Sequence, residues 1–271
     1  MSQSQSENRI DLCFSQLRKA GRKAFIAYIT AGDPSLSATA SLAQGFEHAG
    51  VDILEFGVPF SDPLADGVVN QLAQDRALRS GTNLRGVLRA VRELRAHGLK
   101  MPIVLFTYFN PIHHYGIKHF VRDAARVGVD GVLNLDLPPE ESGDYEKLMA
   151  RAGLHPIYLV APTTDGVRLK RIAQRAKGFI YYVSREGVTG MQKHVSKGVT
   201  SKIQEIRKHT KVPVVVGFGI STPRQVAEVA RLADGCVVGS AIVHCIAQFD
   251  GQRNLAPKVS RFVRSLTRAI A

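Results

Sequence analysis

Three carboxylates fall within one short stretch, Leu54 to Gly67, which reads LEFGVPFSDPLADG. Glu55 stands at the end of an apolar run, Asp62 follows in a turn-rich segment, and Asp66 lies eleven positions beyond Glu55. Gly57, Pro59 and Pro63 prevent helix or strand from continuing between them, so the two aspartates belong to a stiff loop. Carboxylates on such a loop, at the carboxyl end of a strand, suit acid/base chemistry. A capped turn, in which the aspartates bond their own backbone, is the competing reading, and the stretch alone fits both.

Other apolar runs also end in residues that suit a site. One ends in Phe106-Thr107-Tyr108-Phe109-Asn110, another in Asp136, and a third in Tyr181-Tyr182. Aromatic and apolar groups around a few acids make a pocket for a flat ring and can raise a carboxyl pKa. For Phe109 and Tyr182, core packing is the expected role. Three glycine-bearing turns follow: Ser184-Arg-Glu-Gly187-Val-Thr189-Gly190, Gly217-Phe-Gly219-Ile, and Gly239-Ser240-Ala241. Bare backbone amides at the last two, with a short helix starting at Ser240, are suited to a phosphate group. The segment 184–198, flanked by glycines, is expected to be a mobile loop that closes over substrate. His113-His114 has no carboxylate at ligand spacing and is expected to be a surface turn rather than a metal site. No GxSxG elbow appears, so a serine triad has no support.

The elements that must position these residues alternate along the chain. Expected strands are Ala24–Thr30, Asp52–Phe56, Pro102–Thr107, Gly131–Asp136, His155–Val160, Gly178–Val183, Val212–Gly217 and Gly235–Val238. They lack polar alternation, as parallel strands covered on both faces do. Helical patterns lie between them, over Ser35–Ala49, Asn83–His97, Ile117–Arg126, Pro139–Arg151, Gly166–Arg175, Ser201–His209, Thr222–Leu232 and Asn254–Ile270. Eight strand–helix pairs predict an α/β fold, a single (β/α)8 barrel over residues 1–271, in which every carboxyl strand end faces one side. An extra amphipathic segment, Ile10–Ala20, is expected to plug the lower mouth, behind a disordered leader at 1–8. An open doubly wound sheet would carry GxGxxG after its first strand, and here that turn is Gly32-Asp33-Pro34.

Composition narrows the function classes. The chain has 271 residues and is 45% hydrophobic, as a globular protein with a full core is. No apolar run is long enough to cross a bilayer, and MSQSQSENR lacks a secretory signal's apolar core. Three cysteines without CxxC spacing indicate neither a disulfide framework nor a zinc knuckle, and a cytoplasmic location is expected. The net charge of +13 raises nucleic acid as a partner. The basic residues, however, lie on separate helical faces, such as Lys118/Arg122/Arg126 and Lys258/Arg261/Arg264/Arg268. No aromatic-interleaved platform accompanies them, so neither nucleic acid nor membrane is expected as a partner. Attraction to an anionic, phosphorylated small molecule is the more useful reading.

From about Phe25 to the C-terminal helix the chain resembles the tryptophan synthase alpha chain family. The residues that carry the resemblance are LEFGVPFSDPLADG, SREGVTG, GFGI followed by Ser-Thr-Pro, VVGSAIV, YITAGDP and DLPPEE. It implies a lyase that cleaves indole-3-glycerol phosphate to indole and glyceraldehyde 3-phosphate. By motif match Glu55 would be the principal acid/base, and Asp66 would hold the ring N–H and stabilise the positive charge of the protonated ring. Tyr181 would help position Glu55 and the substrate. Phe25, Phe106 and Tyr108 would line the ring pocket, with Thr189 also contacting substrate. Gly190, Gly219, Gly239 and Ser240 would bind the phosphate. The resemblance implies no metal or cofactor in this chain. It also implies a beta-chain partner carrying pyridoxal phosphate, in an alpha2beta2 heterotetramer, with Asp62 and the 184–198 loop facing that partner.

Two positions depart from expectation. After Ala-Asp-Gly the family usually has Pro, an aliphatic residue and Gln, whereas this chain has Val68-Val69-Asn70-Gln71. Asn70 would therefore sit beside the ring pocket. Asn134 is polar in the fourth strand, where an apolar residue is expected. Three other readings remain at this stage: a non-catalytic activator of a beta chain, a free-standing indole-releasing lyase, and another phosphate-binding barrel enzyme. Retention of both Glu55 and Asp66 argues against the first. The last would be expected to carry Lys or Cys at strand ends. Whether cleavage is fast without a partner separates the subunit from the free-standing lyase.

Overall fold

A computed structural model describes residues 7–184, 195–217 and 219–270. Eight parallel strands close in sequence order: β1 (Ala24–Thr30), β2 (Ile53–Gly57), β3 (Ile103–Thr107), β4 (Gly131–Asn134), β5 (His155–Val160), β6 (Ile180–Val183), β7 (Val214–Gly217) and β8 (Gly235–Val238). Around them run α1 (Arg9–Lys19), α2 (Leu36–Ala49), α3 (Val68–Arg79), α4 (Leu84–Ala96), α5 (Phe109–Tyr115), α6 (Ile117–Val127), α7 (Gly143–Arg151), α8 (Gly166–Arg175), α9 (Val195–Arg207), α10 (Pro223–Ala230), α11 (Ser240–Gln248) and α12 (Leu255–Thr267). The fold is a (β/α)8 barrel preceded by one extra helix.

Three helices lie where no helix pattern was expected. Between Val68 and Arg79 the apolar residues do not point one way: Val68 and Leu72 are exposed, and only the small Ala73 and Ala77, with Gln74, are buried. Without a large apolar stripe the helix leaves little trace in the sequence. The other two are α5, which takes in His113 and His114 in place of a surface turn, and α11, foreseen only at its start. Among the described residues no cluster of His, Cys, Asp and Glu suits a metal ion, and no helix is long and apolar enough to cross a membrane.

The barrel interior is built in layers because successive strand residues point to opposite faces. Ile26, Ile53, Val104, Leu133, Ile157, Phe179, Val215 and Val237 fill it from the strands, and Ile10, Phe14 and Leu17 of α1 close the lower mouth beneath them. Phe14 lies against Phe179 with ring centroids 5.9 Å apart. Asn8, expected within a disordered leader, instead caps α1: its side chain accepts from the Ile10 N–H and donates to the carbonyls of Asp130 and Gly153. Asp130 at the foot of β4 is almost fully buried, and its carboxylate accepts from Arg9, Arg95 and the Ile103 N–H, each at 2.8 Å. One buried charge thereby ties the plug helix, α4 and β3 to the strand it precedes.

Two residues higher on each strand, the inward positions are Tyr28, Glu55, Phe106, Leu135, Leu159, Tyr181, Gly217 and Gly239. Asn134 is on the other face, toward α7. There it neighbours Tyr145, Ser142, Glu146 and Tyr158, and neither its Oδ1 nor its Nδ2 has a partner among the described residues. Tyr158 and Ser142 both donate to the Glu146 carboxylate beside it. A polar residue in this strand thus belongs to a polar cluster outside the barrel, not to its interior.

Candidate active site

At the carboxyl end of the barrel a cavity of about 330 Å³ is walled by Tyr28, Glu55, Phe106, Tyr181 and Val237 from the strands. Gly67, Val68, Val69 and Asn70 close it at the start of α3, and Gly219, Ile220, Gly239 and Ser240 close it from the turns after β7 and β8. The layer explains the selection. Glycine at the inward positions of β2 and β7 leaves room for two long phenols: a Cβ at Gly57 would meet the Tyr28 hydroxyl at 2.3 Å, and one at Gly217 would meet the Tyr181 hydroxyl at the same distance. Tyr28 also presents its edge to Phe106, with centroids 5.0 Å apart. An aromatic, largely apolar slot results.

Glu55 is the charged-type side chain at the base of this slot. It is fully buried, and neither carboxyl oxygen has a hydrogen-bond partner among the described residues. Burial without a compensating donor penalises the carboxylate and pushes the Glu55 pKa up to about 8. At neutral pH the group is therefore mostly a proton-bearing acid, with no partner for its proton among the described residues.

Asp66 is also pushed above the ordinary carboxylate range by burial, but it has hydrogen-bond donors that oppose the rise: Tyr108 first, then Gln74 and Asn70. The Tyr108 hydroxyl donates to Asp66 Oδ2 at 2.8 Å and Gln74 Nε2 donates to the same oxygen at 2.9 Å. Tyr108 is itself fixed by the Ala65 N–H at 2.9 Å and by Phe60, whose ring centroid lies 5.1 Å away. Two carboxyl groups in one region thus face different environments, one dry and without donors among the described residues, the other buried but lined by donors that offset part of the rise. Asp66 does not form part of the cavity wall; Asn70, one helical turn on, does.

Most expected site residues come together. Glu55, Phe106, Tyr181, Gly219, Gly239 and Ser240 all border the cavity. Gly219 takes a left-handed φ of +69°, and Gly239 precedes α11, so backbone N–H groups of that helix's first turn are open to an anion. Thr189 and Gly190 lie outside the described residues, as does most of the 184–198 loop; its last residues belong to α9.

Two expectations are corrected. Phe25 does not reach the ring pocket: it faces outward into the core between barrel and helices, with Leu42 and Phe46 of α2. Tyr108 is not in the wall either and bears on it only through Asp66. Tyr28 takes the place foreseen for Phe25. The signal was present in the strand period, because residues three apart on a strand face opposite sides. Tyr28 is the direct register partner of Glu55 across β1 and β2. Asp62, expected to face a partner, is exposed, as are Leu64, Val68 and Leu72 nearby.

Comparison with known proteins places this architecture. The family model described as tryptophan synthase alpha chain matches residues 14–271. The tryptophan synthase alpha chain of Geotalea daltonii is 49% identical over 97% of this chain and 99% of its own length. That of Opitutus terrae is 50% identical over 89% of this chain and 90% of its own. Among solved structures, tryptophan synthase subunit alpha from Legionella pneumophila superposes with a TM-score of 0.91 at 36% identity, covering 98% of this chain and 99% of that one. A chain of tryptophan synthase from M. tuberculosis in an aminoacrylate-bound form does so with a TM-score of 0.85 at 30% identity, covering 97% and 100%.

Proposed function

The chain belongs to the tryptophan synthase alpha chain family, and from that premise we propose that it cleaves indole-3-glycerol phosphate with Glu55 as the acid/base. The observation that carries this reading is the unpartnered Glu55 carboxyl, held mostly protonated in the wall of an aromatic slot that also contains anion-binding turns. The slot takes the indole ring between Phe106, Tyr28 and Tyr181. The open amides around Gly219, Gly239 and Ser240 take the phosphate, to which Gly190 is also assigned by motif, and Thr189 is assigned to the substrate.

The chemistry balances on one carboxyl group. Glu55 gives its proton to the ring carbon that bears the side chain, which turns the ring into an electron-accepting leaving group. The carboxylate then removes the proton of the side-chain hydroxyl on the adjacent carbon. The carbon–carbon bond breaks, its electron pair returns to the ring as indole, and the oxygen becomes the aldehyde of glyceraldehyde 3-phosphate. Glu55 ends protonated, ready for another turn. A pKa near 8 suits a group that must first give and then take a proton near neutral pH. Between the steps the ring nitrogen carries positive charge, which the Asp66 carboxylate offsets. Tyr181 is assigned to positioning.

These steps need an acid/base, a counter-charge and an anion cradle, all of which this chain supplies. The pyridoxal phosphate of the reaction that uses indole is assigned to the beta chain. The exposed Asp62, Leu64, Val68 and Leu72 around the mouth of the site are the surface we assign to that partner, in an alpha2beta2 complex in the cytoplasm. Titrating a purified beta chain into this chain tests the subunit reading. Indole formation is expected to accelerate and to saturate at one beta chain per chain. A rate already fast alone and unchanged by the beta chain would leave a free-standing lyase.

A further inference from the structure

Gln74 lies on the buried face of α3 and is only 3% exposed, although the helix carries no large apolar stripe. Its side chain is held at both ends. The Phe60 N–H donates to Gln74 Oε1 at 3.1 Å, and Gln74 Nε2 donates to Asp66 Oδ2 at 2.9 Å. These partners fix the orientation of the amide, because a backbone N–H can only donate and an ionised carboxylate can only accept. The neighbouring Gln71 has a different task. Its Nε2 donates to the carbonyls of Asp66 at 2.8 Å and Pro63 at 3.4 Å, which secures the main chain of the loop. Phe60 also touches the other donor, since its ring lies 5.1 Å from that of Tyr108, whose hydroxyl reaches the same Asp66 oxygen. The β2 loop, α3 and the end of β3 thus meet at Asp66 Oδ2. A carboxyl gripped through one oxygen from two directions does not turn freely about its last bond, and supporting hydrogen bonds of this kind hold a reacting group in its working geometry.

We propose that Gln74 is a positioning residue for the cleavage: it holds Asp66 through Oδ2 so that Oδ1 is presented to the substrate's ring N–H. The inference rests on the indole-3-glycerol phosphate reading and deepens it. Gln74 is not part of the slot wall, so its effect passes through Asp66 and not through contact with substrate. Positive charge develops on the ring nitrogen only after the ring carbon is protonated. A loosely held Asp66 therefore lowers the rate of cleavage and leaves substrate affinity almost unchanged.

The test is a double-mutant cycle of Gln74→Met with Asp66→Asn, read as indole release from indole-3-glycerol phosphate by the full chain with a beta chain present. Met keeps the volume of the side chain and removes both hydrogen bonds. Gln74→Met is expected to lower kcat by about tenfold, the loss of one hydrogen bond to a charged group, with KM within about twofold. In the Asp66→Asn background the same substitution is expected to change kcat by less than about twofold, because the charge it acts through is gone. A loss of about tenfold in both backgrounds would give Gln74 a structural role and overturn the proposal, as would an unchanged kcat or an effect on KM alone. Urea unfolding shows whether Gln74→Met is folded. If it is not, Gln74→Glu, which keeps the volume and the acceptor for the Phe60 N–H, takes its place in the cycle with the same outcomes. A wild type that released no indole would overturn the substrate reading itself, and this inference with it.

Discussion

Replacing Glu55 with Gln is expected to lower the rate of indole release from indole-3-glycerol phosphate by about 10³-fold, the loss typical of removing a sole acid/base. Gln occupies the same volume, cannot give a proton to the ring carbon and cannot take one from the side-chain hydroxyl. Phosphate and ring contacts are supplied by other residues, so KM is expected to change little. The wild-type pH profile carries the same signature. The cleavage sequence begins from protonated Glu55, whose pKa stands near 8, so kcat/KM is expected to fall as pH rises through about 8. Stability follows the same linkage. The folded pKa lies above the ordinary value of 4.5, so the native state keeps a proton that the unfolded chain releases between those two values. The Glu55 contribution to stability is fully present below pH 4.5, declines as pH rises and is lost above about 8. Glu55→Gln is therefore expected to be more stable than the wild type at pH 8, by as much as about 4 kcal/mol, measured by urea unfolding. A variant that kept more than about a tenth of the wild-type rate would remove Glu55 from the chemistry.

Asp66→Asn is expected to lower kcat by about 10²-fold with little change in KM. The amide keeps the shape of the side chain but not its charge, and the charge matters only once the ring nitrogen becomes positive. This is an interaction gained in the transition state rather than in the ground state. Tyr108 and Gln74 donate to the Asp66 carboxylate, and both bonds weaken when the acceptor is neutral. Tyr108→Phe removes one donor and leaves the charge, so its effect is expected to be in the same direction and smaller. Steady-state kinetics of both variants check the order. A kcat for Asp66→Asn within about threefold of the wild type would show that no counter-charge is needed there.

Much of this arrangement was readable from the residues, and the exceptions share a cause. Strands buried on both faces leave continuous apolar runs, so all eight appear in the sequence, with ends displaced by no more than two residues. The acids, the aromatic strand ends and the glycine turns follow directly, because a barrel brings every carboxyl strand end to one face. What the apolar runs conceal is direction. In β1 every residue is buried, and composition does not distinguish the outward Phe25 from the inward Tyr28. Register does, because Tyr28 pairs with Glu55. The α3 helix escaped because Val68 and Leu72 face solvent and only small or polar residues are buried, which leaves no apolar stripe to read. Asn70 stood out only as a departure from a familiar motif. Its unpartnered oxygen depends on packing between the β2 loop and α3, which no local pattern encodes.

The measurement that tests the central claim most directly is the product balance of the purified chain on indole-3-glycerol phosphate, with indole and glyceraldehyde 3-phosphate assayed in the same sample, without and with a beta chain. The account predicts equal amounts of the two products, formed slowly by the chain alone and faster with the partner, and absent when Glu55 is Gln. No indole from the wild type in either sample would contradict it, leaving a binding role or a different phosphorylated substrate for the slot.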